Sequence, residues 1–299
     1  MLLLLFTIHS KATLLSMIAR ASAVGAAIGL SAGIYQLSRR DTATPGSSSG
    51  EGQFMTDAAT LRQVRARQKQ AAVLDELLRG WAPAIEECRQ RAEVACGLRQ
   101  RSACLAARAA AAQEYEALRE ALVVEAAKVS YGSNVSPEDR NAYVATYGCI
   151  AWTDDALSAI AAKGPVVEVG AGQGQWARAL KTRGVDIVAY DDGSALPASG
   201  DVPVAAVTLG IDGSKAAGQH PERSLLLVAP PPGRQPLAWL VAYAERGGRQ
   251  LLYAGEGRGG AHADETFFAA LERGWRLVDT VTLRPFPGGA ERLWVLERR

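Results

Sequence analysis

The chain has 299 residues, 48% of them hydrophobic, with 33 basic side chains against 31 acidic ones and a formal charge of +2. That is long and apolar enough to bury a full core, which excludes a disordered chain and leaves room for one large domain plus an extension or a smaller second domain. The balanced charge makes no case for nucleic acid, and Cys88, Cys96, Cys104 and Cys149 are too few and too unevenly placed for a disulfide framework.

Residues 1–40 contain no Asp or Glu and set Lys11, Arg20, Arg39 and Arg40 among Leu, Ala, Ser and Gly. The run Thr13–Tyr35 is long enough to cross a bilayer, although Arg20 falls inside it, where a charge is costly. The same composition suits a cleavable mitochondrial or other organelle presequence. Targeting or anchoring is the expectation; a cytoplasmic chain with a plain tail or an over-extended start is the alternative. Residues 41–55 follow as a Ser/Gly/Thr/Pro linker.

From Thr56 the apolar spacing is helical, with Leu61, Val64, Ala71, Leu74 and Leu78 mainly on one face. Gly80 is expected to end this helix, and Pro83 to open a second that runs to about Val129 with a bend at Gly97. Residues 56–130 thus read as a helical segment, its arginines interspersed with Glu86, Glu87 and Glu93 as on a solvated face. The first three cysteines recur every eight residues, which turns each about 80° from the last on a helix, and no histidine lies near, so no metal site is expected.

Residues 136–299 read as an α/β domain. Ser136-Pro137-Glu138-Asp139 and Thr153-Asp154-Asp155 carry the capping residues and early acids of helix starts. Strands are expected at Val166–Val169, Val185–Tyr190, Val202–Leu209, Ser224–Ala229, Gln250–Tyr253, Arg276–Leu283 and Arg292–Glu297. Helices are expected at Trp176–Thr182, Leu237–Glu245 and Asp264–Arg273. Alternation of this kind predicts a parallel sheet covered on both faces, and the last two strands, with no helix between them, predict an antiparallel closing pair.

The first strand runs into Gly170-Ala171-Gly172-Gln173-Gly174, a strand–turn–helix junction whose glycines permit positive φ and close approach of a ligand. A dinucleotide fingerprint places its third glycine five residues after the first; here it comes at four. Glu168, inside an otherwise apolar strand, calls for a cationic or donor-rich neighbour. Asp191 ends the next strand, where a carboxylate can accept from ribose hydroxyls.

Glu168-Val-Gly-Ala-Gly-Gln-Gly174 resembles the first motif of the class I S-adenosylmethionine-dependent methyltransferases, and Val188-Ala-Tyr-Asp191 resembles their ribose-binding strand. The resemblance covers about residues 147–299. Tyr147–Trp152, Ser224–Pro232, Tyr253–Gly260 and Asp264–Phe268 are similar to uncharacterised methyltransferase-like proteins. It implies a Rossmann-like seven-stranded sheet with S-adenosylmethionine as cofactor. The methionine portion would be held by Gly170, Ala171, Gly172, Gln173 and Gly174 with Glu168 in support. The ribose would be held by Asp191 beside Asp192. Adenine contacts would come from Asp212, for which a plain turn role is the equal alternative, and Ala229 would border the same crevice.

Amino-directed base methyltransferases carry a polar residue, two prolines and an aromatic after the fourth strand; Ala229-Pro-Pro-Pro232 lacks both the polar side chain and the aromatic, which turns the expectation away from nucleic acid. The expected acceptor is a small molecule or a protein. Glu256, His262 and Asp264 are the candidates for a general base, with Arg258, Tyr147 and Trp152 also placed to line an acceptor cavity; Asp264 reads equally as a helix cap. Two alternatives stand beside the enzyme: a non-catalytic interaction or assembly protein of the same fold, tethered at a membrane through the N-terminal segment, and a nicotinamide oxidoreductase.

Overall fold

A computed structural model describes residues 54–97, 101–194 and 207–299. The expected targeting or anchoring segment, nearly all of the linker and the first half of the third strand lie outside these residues. Among the described residues, no helix is long and apolar enough to cross a membrane.

Asp57 opens helix α1 (Ala58–Gly97): its Oδ1 accepts the backbone N–H groups of Ala59 and Thr60, both at 2.9 Å, satisfying two of the free donors of the first turn. Helix α2 (Arg101–Tyr131) returns along it. Gln70 Nε2 donates to the Ser130 carbonyl near one end, and Arg91 pairs with Glu114 towards the other, so the two run antiparallel. The break expected at Gly80–Pro83 comes instead after Gly97, and Pro83 lies within α1. Proline removes one backbone hydrogen bond, but contacts to α2 on both sides of it carry the helix through.

Helix α3 (Pro137–Tyr147) begins at Ser136 in a reciprocal capping box with Asp139, and α4 (Asp154–Ala161) begins at Thr153, whose hydroxyl accepts from Ala156 N. There follow β1 (Val166–Val169), α5 (Gln175–Thr182), β2 (Ile187–Asp191), β3 (Val207–Leu209), α6 (Gly213–Gln219) and β4 (Ser224–Val228). The chain then forms α7 (Arg234–Glu245), β5 (Gln250–Gly255), α8 (Glu265–Gly274), β6 (Trp275–Thr282) and β7 (Arg292–Arg298).

The strands form one sheet in the order β3-β2-β1-β4-β5-β7-β6. β1 to β5 pair in parallel, while β7 is inserted between β5 and β6 and runs antiparallel to both. This is a Rossmann-like seven-stranded sheet with an antiparallel closing pair, as the resemblance implies. Alternation along the strands divides the core. Leu225, Leu227, Leu251 and Tyr253 face α7 and α8 with Tyr243, Phe267 and Phe268; Leu226, Leu252 and Ala254 face α4 and α5 with Ile160, Trp176 and Leu180. Strand order reverses at β1, so β2 and β4 leave in opposite directions and a crevice opens at their carboxyl ends.

Candidate functional site: the crevice at the carboxyl ends of β1 and β2

The glycine turn is pinned from behind. Gly170 N and Ala171 N both donate to the Tyr190 carbonyl, at 2.9 and 3.0 Å, and Gly174 N donates to Ala171 O at 2.9 Å. Gly170, Gly172 and Gly174 take φ values of 74°, 55° and 77°, a region closed to most side chains. A Cβ on Gly172 would meet nothing within 4 Å, whereas one on Gly170 would press on Trp239 Cη2 at 3.2 Å. The turn is therefore packed beneath and open above. Gln173, next in the turn, accepts from Gln175 Nε2 through its side-chain oxygen at 3.1 Å.

Glu168 lies in β1 between Ala189 of β2 and Leu226 of β4 and is 1% exposed. Burial pushes its carboxyl up to about 8, the Ala177 N–H in the first turn of α5 pulls the other way, and the Asp191 charge adds to the rise. Its Oε2 has no hydrogen-bond partner. A buried, partnerless carboxyl oxygen behind an open glycine turn calls for an explanation, since such atoms usually find partners.

Asp191 is half-buried at the end of β2 and joins the two strand ends: Oδ2 accepts from Gly172 N and Oδ1 from Gly193 N, both at 2.8 Å. Both oxygens keep accepting capacity, because an ionised carboxylate offers about four lone-pair positions. Asp192 is exposed and bonded to Ser194 through side chain and backbone, which holds it below the usual carboxylate range. Asp212 caps α6, its Oδ1 accepting from Ser214 N at 3.0 Å and Lys215 N at 3.1 Å. The structure thus gives it the turn role, with Oδ2 unused.

Trp239 was not a candidate in the sequence, and it shapes the floor. A Cβ on Gly213 would sit 2.3 Å from its Nε1, so the indole of α7 packs against both the β1 turn and the first residue of α6. Ala229, directly after β4, takes φ 47°, a strained value for a residue with a Cβ. The carbonyl of Pro230 beside it accepts from Ala263 N at 3.0 Å.

On the acceptor side, the three candidate bases are engaged within the protein. Glu256, at the end of β5, forms a bidentate ion pair with Arg67 of α1, with Nη1 at 2.6 Å from Oε2, and also accepts from Ala261 N at 2.7 Å and Ala290 N at 3.1 Å. Burial alone would raise its pKa, but hydrogen bonding and charge from Arg67 outweigh this and hold it low. Burial lowers His262 to about 4, and its Nδ1 accepts from Glu256 N at 3.3 Å, which leaves the proton of the neutral ring on Nε2. Asp264 caps α8 through Phe267 N at 3.1 Å. Arg258 is buried against Glu272 and Glu265.

Tyr147 and Trp152 stand edge to face at 5.1 Å, with the Arg284 guanidinium 4.8 Å over the Tyr147 ring. Trp176 is buried and donates to the Ile150 carbonyl at 2.9 Å, a packing role. Sequence reasoning missed Arg67 and Glu291. Glu291 is pushed up to about 7 by burial and by the charge of Glu256, and its Oε2 has no partner. No local signal marks either; Arg67 lies 189 positions from the carboxylate it pairs with.

No family model and no curated protein matches the chain. Among solved structures it is similar to magnesium protoporphyrin IX methyltransferase of Synechocystis PCC 6803, crystallised with bound SAM, at 13% identity over 49% of this chain and 77% of that one, with a TM-score of 0.37. It is also similar to the mitomycin 7-O-methyltransferase MmcR, at 12% identity over 62% of this chain and 58% of that one, with a TM-score of 0.33. Strand order, rather than these distant likenesses, carries the fold assignment.

Proposed function

We propose that the crevice binds S-adenosylmethionine and that the chain transfers its methyl group to a small-molecule or protein acceptor. The observation that carries this reading is the buried Glu168 carboxyl with its partnerless Oε2, set behind a glycine turn that is open at Gly172. When bound, S-adenosylmethionine supplies a sulfonium-activated methyl group and an ammonium. The turn from Gly170 to Gly174 would hold the methionine portion, Glu168 would supply negative charge beneath it, and Asp191 would accept from ribose hydroxyls. Asp212, at the start of α6, would accept from an adenine amine through Oδ2. Glu256 is held by Arg67, His262 Nδ1 by Glu256 N, and Asp264 caps α8 through Oδ1, so the chain's main contribution would be alignment and exclusion of water, which can supply much of the barrier reduction.

Calorimetric titration with S-adenosylmethionine, S-adenosylhomocysteine and NAD tests the reading. Both sulfur ligands should bind, with affinity reduced about 10- to 100-fold by Asp191→Ala through loss of charge-assisted hydrogen bonds. Heat from NAD alone, or none from either sulfur ligand, overturns it. The engagement of Glu256 and His262 within the protein favours a second reading, an interaction or assembly protein of the same fold; cofactor binding without turnover of any acceptor would support that one.

A further inference from the structure

The start of α1 is fastened to the carboxyl edge of the sheet. Met55 is 5% exposed and packs in the core, its carbonyl accepting from Arg258 N at 2.9 Å. Thr60 Oγ1 accepts from Gly257 N at 3.1 Å, and Arg67 holds Glu256. Thr60, Arg67 and Leu74 recur every seven residues, so one face of α1 points inward. Arg62, Arg65 and Lys69 lie on the opposite face within about 60° of one another and are exposed. The ion pairs of α1 among the described residues come from Arg67 and Arg91, not from these three. Val73, 50% exposed, continues the same face, which ends at Glu76. Arg62 also lines a groove with Ala59, Gln63, Pro285, Gly289 and Arg292, so the basic face adjoins the β6–β7 connection.

The described chain begins at this same edge, at residues 54 and 55. Residues 1–40 hold no acid and include the apolar run Thr13–Tyr35. Residues 41–53 can reach at most about 45 Å even fully extended. Were the apolar run held at a membrane, a tether this short would present to it first the charge near residue 54, which is the basic face of α1.

We propose that this face docks on an anionic lipid bilayer and turns the carboxyl edge of the sheet, with the crevice, toward it. Basic side chains near such a surface are attracted by its negative potential within a Debye length, and an adjoining apolar side chain can enter the interface. Joined to the methyl-transfer reading, on which this consequence alone rests, the arrangement makes the acceptor a membrane-borne molecule, presented to the crevice from the lipid side.

The full-length chain is mixed with phosphatidylcholine vesicles, with and without phosphatidylserine, and followed by flotation and amide hydrogen exchange. Phosphatidylserine should slow exchange over residues 58–73 and 283–291 and leave 181–186 and 246–250, at the opposite edge, unchanged; added salt should reverse the slowing. Each basic side chain at an anionic surface contributes about a fivefold factor, so Arg62→Glu/Arg65→Glu/Lys69→Glu should weaken the phosphatidylserine-dependent component by at least about 100-fold. Lys181→Glu/Arg246→Glu/Arg249→Glu should leave it intact. Protection at the opposite edge, protection independent of phosphatidylserine or salt, or capture of RNA but not vesicles overturns the proposal. Exchange reports orientation even where residues 1–40 hold the chain on vesicles unaided. Vesicle docking without heat from either sulfur ligand would remove the methyl-transfer reading and leave this one standing; heat without docking would do the reverse.

Discussion

Glu168→Gln is the perturbation that examines the crevice most directly. In the folded chain burial holds this carboxyl up to about 8, against an ordinary value of 4.5. Between these two pH values the unfolded chain has lost the proton while the folded chain keeps it. Stability therefore falls as pH rises, by about 1.4 kcal/mol per unit, reaching roughly 3 kcal/mol by pH 7 and levelling off above the folded pKa. The contribution is fully present below the unfolded pKa and lost as pH climbs through the folded one. Glutamine keeps an oxygen for the Ala177 N–H but places an amide where Oε2 lacks a partner, at a cost of about 1–3 kcal/mol. The variant should thus be less stable than wild type below about pH 5, overtake it between roughly pH 5 and 7, and stay ahead in alkali. Urea unfolding across this range reads the difference. Parallel stability curves for the two proteins would refute the assignment of a buried, protonated Glu168. With S-adenosylmethionine present, a cation beside the carboxyl should release its proton, so the binding heat of wild type should depend on buffer ionisation while that of Glu168→Gln should not.

The other expectations concern the framework. Arg67→Ala leaves Glu256 buried without its partner and should cost about 3–5 kcal/mol in urea unfolding, with a substantial part recovered in Arg67→Ala/Glu256→Gln; equal losses in both would mean the ion pair is not what joins α1 to β5. Gly213→Ala drives a Cβ to 2.3 Å from Trp239 Nε1 and 2.8 Å from Val169 Cγ1, and should lower stability by about 1–3 kcal/mol, an effect much reduced when Trp239→Leu is added, as thermal melts would show. Asp264→Ala removes the cap of α8 and should cost about 1 kcal/mol while leaving the affinity for S-adenosylmethionine unchanged; a large loss of affinity would restore Asp264 to the binding site.

Much of this architecture could be read locally. Ser136, Thr153 and Asp264 cap helices because a short side-chain oxygen satisfies free N–H groups a few residues on, a relation contained within four positions of the chain. The glycine turn was likewise legible, since only glycine enters its three positive-φ positions in sequence without strain. The strand pattern announced a covered parallel sheet. It did not show that β7 slips between β5 and β6, because alternation marks which faces are buried and not which edge a strand joins. Pro83 misled for a related reason: its local penalty is real, but the antiparallel partner α2 spans it.

Glu256 shows the division most plainly. As a residue type after a strand end in a glycine-rich loop, it had the credentials of a base, and its chemistry in isolation is that of a carboxylate. Its actual state depends on Arg67, brought in by a helix from the far end of the sequence, and on two backbone donors from separate loops. Glu168, by contrast, was marked by sequence alone as an acid in an apolar strand, but its lack of a partner emerged only once the chain was packed around it. By itself the sequence determined the elements, their caps and the open turn, because these obey forces that act over a few residues. The tertiary structure decided which carboxylates are paired and which are left waiting, because burial and charge are set by whatever the folded chain brings within hydrogen-bonding distance.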